Sequence, residues 1–183
     1  MTDIRIPDSP ASVALPIVTQ WDGSPAPLGV RASVYLSSTD EGLLVRALAL
    51  HQTPARIPPR PAGRCDGLWE HDVVEVFLAG EDGTYVEIEL GAGGHWLVFG
   101  FSAVRERSDE YADLVLDVTH LSSADGWDAT VTIPWDIIPT AITRMNAFAI
   151  LGGHHLAYHP VPGTTPDFHQ PAHFPRASLE RAR

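Results

Sequence analysis

Residues Asp66–Leu78 read DGLWEHDVVEVFL, and the fold turns on how the second half of that stretch is read. Asp66-Gly67 is a turn dipeptide. Beyond it Val73, Val74, Val76, Phe77 and Leu78 make a nearly unbroken run of strand-forming residues, which predicts a strand buried on both faces. Glu75 interrupts the run. An ionised carboxylate inside such a strand requires a partner, a ligand or water, because burying it bare is costly. The same stretch carries an aromatic at Trp69 and further acids at Glu70 and Asp72. One segment thus combines a core strand with a polar site. Whether Glu75 faces a cleft or the core stays open, since a shift of one residue reverses its orientation.

Outward from this stretch the pattern is of short strands and turns. Tyr85–Leu90 alternates, with Val86, Ile88 and Leu90 on one face and Tyr85, Glu87 and Glu89 on the other. The Asp82-Gly83 turn joins it to the central strand, and His95–Phe101 completes a meander. Upstream, Val30–Ser37 and Leu43–Leu50 read as a hairpin, and Ser12–Trp21 as an edge strand marked by Pro16. Downstream, Leu114–Thr119, Trp127–Ile133, Ala147–Leu151 and Leu156–Tyr158 are strand candidates, and Pro134–Ile138 suits one helical turn. Thr53–Arg64, Ser102–Asp113 and the Pro/His-rich tail His159–Pro175 read as loops. Roughly ten short strands and no amphipathic helix longer than about three turns indicate an all-β fold. We expect an antiparallel, jelly-roll-like β-sandwich with long loops and at most short helical turns, the 183 residues forming one domain.

Composition narrows the function. The net charge is −11 and every positive side chain is Arg, with no basic stripe of the kind nucleic-acid binding needs. The nearest candidate, Arg56–Arg64, is broken by Pro58, Pro59 and Pro61. An acidic chain also disfavours an anionic membrane surface, and the apolar runs are too short to span a bilayer. Cys65 is alone, so no internal disulfide forms. The N-terminus MTDIRIPDSP lacks an apolar core for an export signal, and we expect a cytoplasmic protein.

Four stretches together resemble the DOMON-like domains, in the branch similar to family 9 carbohydrate-binding modules. They are GLWEHDVVEVFL at Gly67–Leu78, YVEIELGAGGHW at Tyr85–Trp96, WDATVTIPW at Trp127–Trp135, and the tail Leu156–Phe174 with its PDFH at Pro166–His169. The resemblance covers about two-thirds of the chain and rests on the order of the motifs. It implies a β-sandwich with a ligand site. In the sugar-binding members an aromatic stacks on a sugar ring, and a Glu six residues later, inside the strand, bonds hydroxyls. Trp69 and Glu75 match that pair. Arg105, after the Trp96–Phe101 strand, is similar to a binding Arg, and Tyr158 is the candidate for a second aromatic wall. Asp167 and His169 either close over the ligand cleft or pin the tail to the sandwich.

The chemistry is consistent with that likeness. Sugars offer C–H faces to aromatic rings and hydroxyls to polar groups. Trp69 supplies a platform, Glu75 an acceptor and Arg105 forked donors. The structural alternative is a core Trp69 with Glu75 paired to Arg105. For a hydrolase, Glu70 and Asp72 fall on one strand face about 6.6 Å apart, and we expect them to be solvated instead of straddling a substrate. The spacings His155–His159 and His169–His173 suit a divalent metal only on a helix, which the prolines oppose. Haem has no ligand signature around Met145. The reading is a non-catalytic module binding a small carbohydrate or similar polar ligand, without cofactor. The alternatives are a hydrolytic or metal-dependent enzyme, or an interaction domain whose ligand groove is degenerate, lost or used by a protein partner.

Overall fold

A computed structural model describes residues 3–51 and 53–180. In chain order its strands are β1 (Ile4–Ile6), β2 (Val13–Ile17), β3 (Thr19–Gln20), β4 (Arg31–Ser38), β5 (Gly42–Leu50), β6 (Gly63–Arg64), β7 (Val73–Gly80), β8 (Tyr85–Gly91), β9 (His95–Ala103), β10 (Glu106–Asp109), β11 (Thr119–Ser122), β12 (Gly126–Pro134), β13 (Ile142–Leu151), β14 (His154–Ala157) and β15 (Ala177–Leu179). Single 3-10 turns stand at Leu68–Glu70 and Pro171–His173. The fold is an all-β sandwich. One sheet runs β11-β12-β5-β4-β2; the other runs β10-β9-β8-β7-β13-β14-β3, with β6 beside β9. Both are antiparallel apart from the short β6–β9 ladder, and β1 and β15 form a separate parallel pair.

Strand β7 lies near the middle of the larger sheet, and its two faces meet two cores. Val74, Val76 and Leu78 join Val86, Ile88, Val98 and Ala147 in packing against Val34, Leu36 and Val45 of the other sheet. Val73 and Phe77 point outward, into a second cluster with Leu97, Phe99, Phe148, Phe168 and Phe174. Each fully buried side chain of this kind contributes about 1.5–3 kcal/mol. The tail therefore acts as a third layer over the outer face of the sheet, which is why β7 is apolar on both sides.

Hydrogen bonds fix that layer. Arg144 Nη1 donates to the Phe174 carbonyl at 2.7 Å, and Met145 N donates to the Pro175 carbonyl at 3.0 Å. The side chain of Asn146, fully buried, donates to the His159 carbonyl at 2.8 Å and accepts from the His159 amide at 3.1 Å. The residues 159–175 hold their course through these bonds to β13 and through others such as Val161 N to the Trp21 carbonyl at 2.9 Å, not through a ladder of their own.

Three local expectations are revised. The charged segment Ser102–Asp113 contains β10, an exposed edge strand bent by irregular register against β9. The strand expected over Leu114–Thr119 starts at Thr119, because the turn closed by Ser123 N and the Gly126 carbonyl at 2.8 Å sets Thr119–Ser122 opposite Trp127–Thr130. Pro134–Ile138 is a turn closed by Ile137 N on the Pro134 carbonyl, not a helical turn. Pro16 does sit on an edge strand, since β2 ends the five-stranded sheet. Among the described residues no helix is long and apolar enough to cross a membrane.

Candidate functional site

The alternation of β8 places Glu87 and Glu89 on the outer face with Tyr85, and the alternation of β7 places Glu75 on the same face with Phe77. Register does the rest. Glu75 lies directly opposite Glu89 on the neighbouring strand, and Glu87 lies opposite Phe77 on one side and Phe99 on the other. Three carboxyl groups therefore occupy adjoining positions on two strands, beneath the tail. Their relative exposures are 3% for Glu75, 6% for Glu87 and 0% for Glu89. Glu75 and Glu87 reach a cavity of about 350 Å³, at the small end of ligand pockets.

One side of the cavity is built on the 3-10 turn Leu68–Glu70. Gly67, at φ 76°, starts the turn in a left-handed conformation. Leu68 then plugs down onto the sheet above Gly91, where a Cβ would come within 2.8 Å of Leu68 Cδ1. The turn so seated holds Trp69 41% exposed, with its ring centroid 6.4 Å from that of Phe99. Arg107 of β10 lays its guanidinium 3.7 Å over the Phe99 ring and 5.8 Å from the Trp69 centroid. Phe99 lies on β9; the other end of the cavity lies across β8 and β7, where Ile150 of β13, His155 of β14 and Phe168 line it.

The rim is a closed network. Arg105 occupies the turn between β9 and β10 at φ 63°, a left-handed value uncommon outside glycine. Its amide donates to the Tyr85 hydroxyl at 3.0 Å, and its guanidinium donates to Asp167 Oδ1 at 2.7 Å. The same Asp167 oxygen accepts from the His169 amide at 3.0 Å. Tyr85 Oη is 2.9 Å from His169 Nδ1. The other ring nitrogen of His169, Nε2, lies 3.9 Å from Glu87 Oε2. Backbone turn, tail loop and floor are thereby tied together.

Burial governs the protonation of these groups. It raises the Glu75 carboxyl well above its ordinary range, with the Glu87 charge adding to the effect. Glu89 is raised for the same reason, with Glu75 and Glu87 adding to it. Glu87 is pushed up to about 7 by desolvation, against the pull of Arg107 and Arg105. Burial and then the Arg105 charge lower His169 to about 4, so its imidazole is neutral at neutral pH. His155 is lowered as well, by burial and then Arg56. Near neutrality Glu87 is partly protonated, and the His169 ring is uncharged.

The structure brings Trp69, Glu75, Arg105, Asp167 and His169 around one cavity. Tyr158 does not line it. Strand β14 sends Leu156 into the inter-sheet core and Ala157 to the outer face, so Tyr158 follows Leu156, and His155 takes the cavity position. Asp167 and His169 both pin the tail and line the cleft. Of the histidines considered for a metal, His155 and His169 line the cavity, His159 is bound through its backbone to Asn146, and His173 is exposed on the second 3-10 turn. Among the described residues no group of three or more His, Cys, Asp or Glu side chains is assembled to hold a metal ion. Met145 points into the inter-sheet core, away from the cavity.

Asp72 overturns the expectation of a solvated acid. It is fully buried, and its Oδ1 accepts from Arg56 Nε at 3.0 Å and from the Gly152 amide at 2.9 Å, fastening the proline-rich loop to the β13–β14 turn. Sequence reading missed Glu87 and Arg107 as site residues. The signal for Glu87 was present in the clean alternation of Tyr85–Leu90, but nothing in it shows that this face is roofed by the tail. Arg107 was hidden by reading β10 as loop.

The β-sandwich fold is shared with solved family 9 carbohydrate-binding modules. A module of that family from Caldicellulosiruptor kristjanssonii, solved with cellotriose, matches all of this chain and 95% of its own with a TM-score of 0.64 at 13% identity; the glucose complex gives 0.63. A candidate carbohydrate-binding protein from Bacteroides uniformis matches 98% of both chains with a TM-score of 0.74 at 18% identity. No family model matches the chain. The UPF0462 protein C4orf33 homolog of Rattus norvegicus is 31% identical over 172 residues, covering 84% of this chain and 82% of its own. Its Homo sapiens counterpart is 30% identical over 167 residues, covering 81% and 79%. The chain belongs to the UPF0462 family.

Proposed function

We propose that the chain is a non-catalytic binding module for a small carbohydrate or a similar polar ligand. The observation that carries this reading is the pairing of a half-exposed Trp69 with a small cavity that has a polar floor and walls mixing Phe168 and two imidazoles with Arg105, Arg107 and Asp167. A pyranose placed there stacks a C–H face on Trp69, and its hydroxyls meet Glu75, Glu87 and Arg105. The wider DOMON resemblance, and the sugars held by the two structural neighbours, agree with such a ligand. Hydrolysis calls for two carboxyls on either side of a bond, and here Glu75 and Glu87 are neighbours on one floor. The opening at Trp69 also favours a working groove over a filled one.

The test is a thermal-shift screen of the protein against mono- and disaccharides. A ligand at 100 times its dissociation constant adds about 2.7 kcal/mol of stability. Trp69→Ala is expected to abolish the shift while circular dichroism stays unchanged. Equal shifts in both proteins would place the ligand elsewhere.

A further inference from the structure

The carboxyl floor is more acidic than hydroxyl recognition requires. Glu75 lines the cavity, is almost wholly buried, and makes no hydrogen bond or ion pair among the described residues. Both oxygens of Glu89, directly across the ladder, are buried and without partners. Among the described residues the ion-pair contact of Glu87 is with His169 Nε2 at 3.9 Å, on a ring that is uncharged at neutral pH. Like charges opposite one another in a sheet repel, and a buried carboxylate without a donor is costly.

Arg107 and Arg105 pull on Glu87 from a distance, but among the described residues neither forms an ion pair with a floor carboxyl. Arg105 is committed to Asp167 at 2.7 Å. Arg107 is stacked on Phe99 and lies 3.6 Å from Glu110 Oε1. Glu89 feels the charges of Glu75 and Glu87, and Arg107 only partly opposes them. A metal ion is a poor candidate, since among the described residues no suitable ligand group assembles. An organic ammonium group fits better. It brings three N–H donors on a compact head, and it satisfies two carboxylates without a fixed coordination geometry.

We propose that the cavity selects an amine-bearing ligand, an amino sugar, whose ammonium group is received between Glu75 and Glu87 while the ring lies on Trp69. This inference rests on the carbohydrate-binding reading and names its ligand class. In the empty site the floor carboxyls hold protons. When R–NH3+ enters, a carboxylic acid gives up its proton to solvent and the carboxylate bonds the ammonium. No covalent bond to the ligand forms or breaks.

The experiment is isothermal titration calorimetry of the full chain with D-glucosamine, D-glucose, N-acetyl-D-glucosamine and ethanolamine, near pH 6.5, in buffers of differing ionisation enthalpy. The expected result is glucosamine binding at least tenfold tighter than glucose or N-acetylglucosamine, with protons released to the buffer on binding. Glucose binding as tightly as glucosamine, or glucosamine binding without proton release, overturns the inference and leaves the carbohydrate reading intact. Ethanolamine binding as tightly as glucosamine keeps the ammonium site but removes the sugar. Binding of none of the four overturns both. Glu87→Gln is expected to bring the glucosamine-to-glucose ratio towards one. If that variant fails to fold by circular dichroism, the buffer series on the unmodified protein decides the matter.

Discussion

Replacing Glu87 by Gln should make the protein more stable at neutral and alkaline pH, and the size of the gain follows from where Glu87 sits. The side chain is 6% exposed on the outer face of β8 and its carboxyl is pushed from 4.5 up to about 7, with desolvation the leading cause. Between those values the folded chain keeps a proton that the unfolded chain has released. The folded state is therefore favoured most below about pH 4.5, and that advantage is lost as pH rises through about 7. At 1.36 kcal/mol per pKa unit, the difference of 7 − 4.5 amounts to about 3 kcal/mol. Gln keeps the shape and the polarity but carries no titrating proton. It also removes the like-charge push of Glu87 on Glu75 and Glu89. Urea unfolding of both proteins without ligand, from about pH 4 to about pH 8.5, measures the difference directly. The two stabilities should lie close together at the acid end and diverge by about 3 kcal/mol at the alkaline end, which corresponds to roughly 6–12 °C in Tm for a chain of this size. Titrations of groups that do not interact with Glu87 cancel in the comparison. Curves that stay parallel across the range would falsify the placement of Glu87 as a buried proton-holding group.

The site makes further demands. Gly91→Ala puts a Cβ 2.8 Å from Leu68 Cδ1, and we expect a loss of about 1–3 kcal/mol in urea unfolding. Because Leu68 seats the turn that carries Trp69, saccharide affinity measured by calorimetry should fall too; unchanged affinity would mean that the turn is positioned by something else. Asp167→Ala removes an exposed ion pair with Arg105, a change worth only about 0.2–1 kcal/mol in a thermal melt. Ligand affinity should fall further than stability, since Arg105 and the Pro166–His169 loop both lose their anchor; the reverse order would make Asp167 a fold residue and not a site residue.

Much of the sandwich was legible because its signals are local. The Tyr85–Leu90 alternation and the Asp82-Gly83 turn fix both a strand and which residues share a face, and β8 follows them. The strand at 114–119 shows the limit. Leu114, Leu116 and Val118 alternate because they pack on the core as a loop, whereas exposed Thr119–Ser122 form the strand through backbone pairing alone. The site was legible where the chemistry is carried by one residue in an unlikely place, as with Glu75 in its apolar run. It was illegible where it depends on parity set by a distant turn. The Gly152-Gly153 turn decides that His155, and not Tyr158, reaches the cavity, and the tail's course decides that the Glu87 face is roofed.

Two buried acids in the stretch Asp66–Leu78 separate structural from functional burial. Asp72 accepts two hydrogen bonds on one oxygen, from Arg56 and from Gly152, and so ties two loops to the sheet. Removing it would break connections within the fold, which is reason enough for its presence. Glu75 has no such bond, and its neighbour Glu89 has none either. Glu87 alone costs about 3 kcal/mol above its folded pKa, against a net stability of about 5–15 kcal/mol for a typical domain. Apolar residues at these positions would extend the cluster of Phe77, Phe99 and Phe148 at no such cost. A group that weakens the fold and ties nothing together fits the proposed function, in which a ligand supplies its partner. The cavity it reaches is lined also by Trp69, which stays 41% exposed.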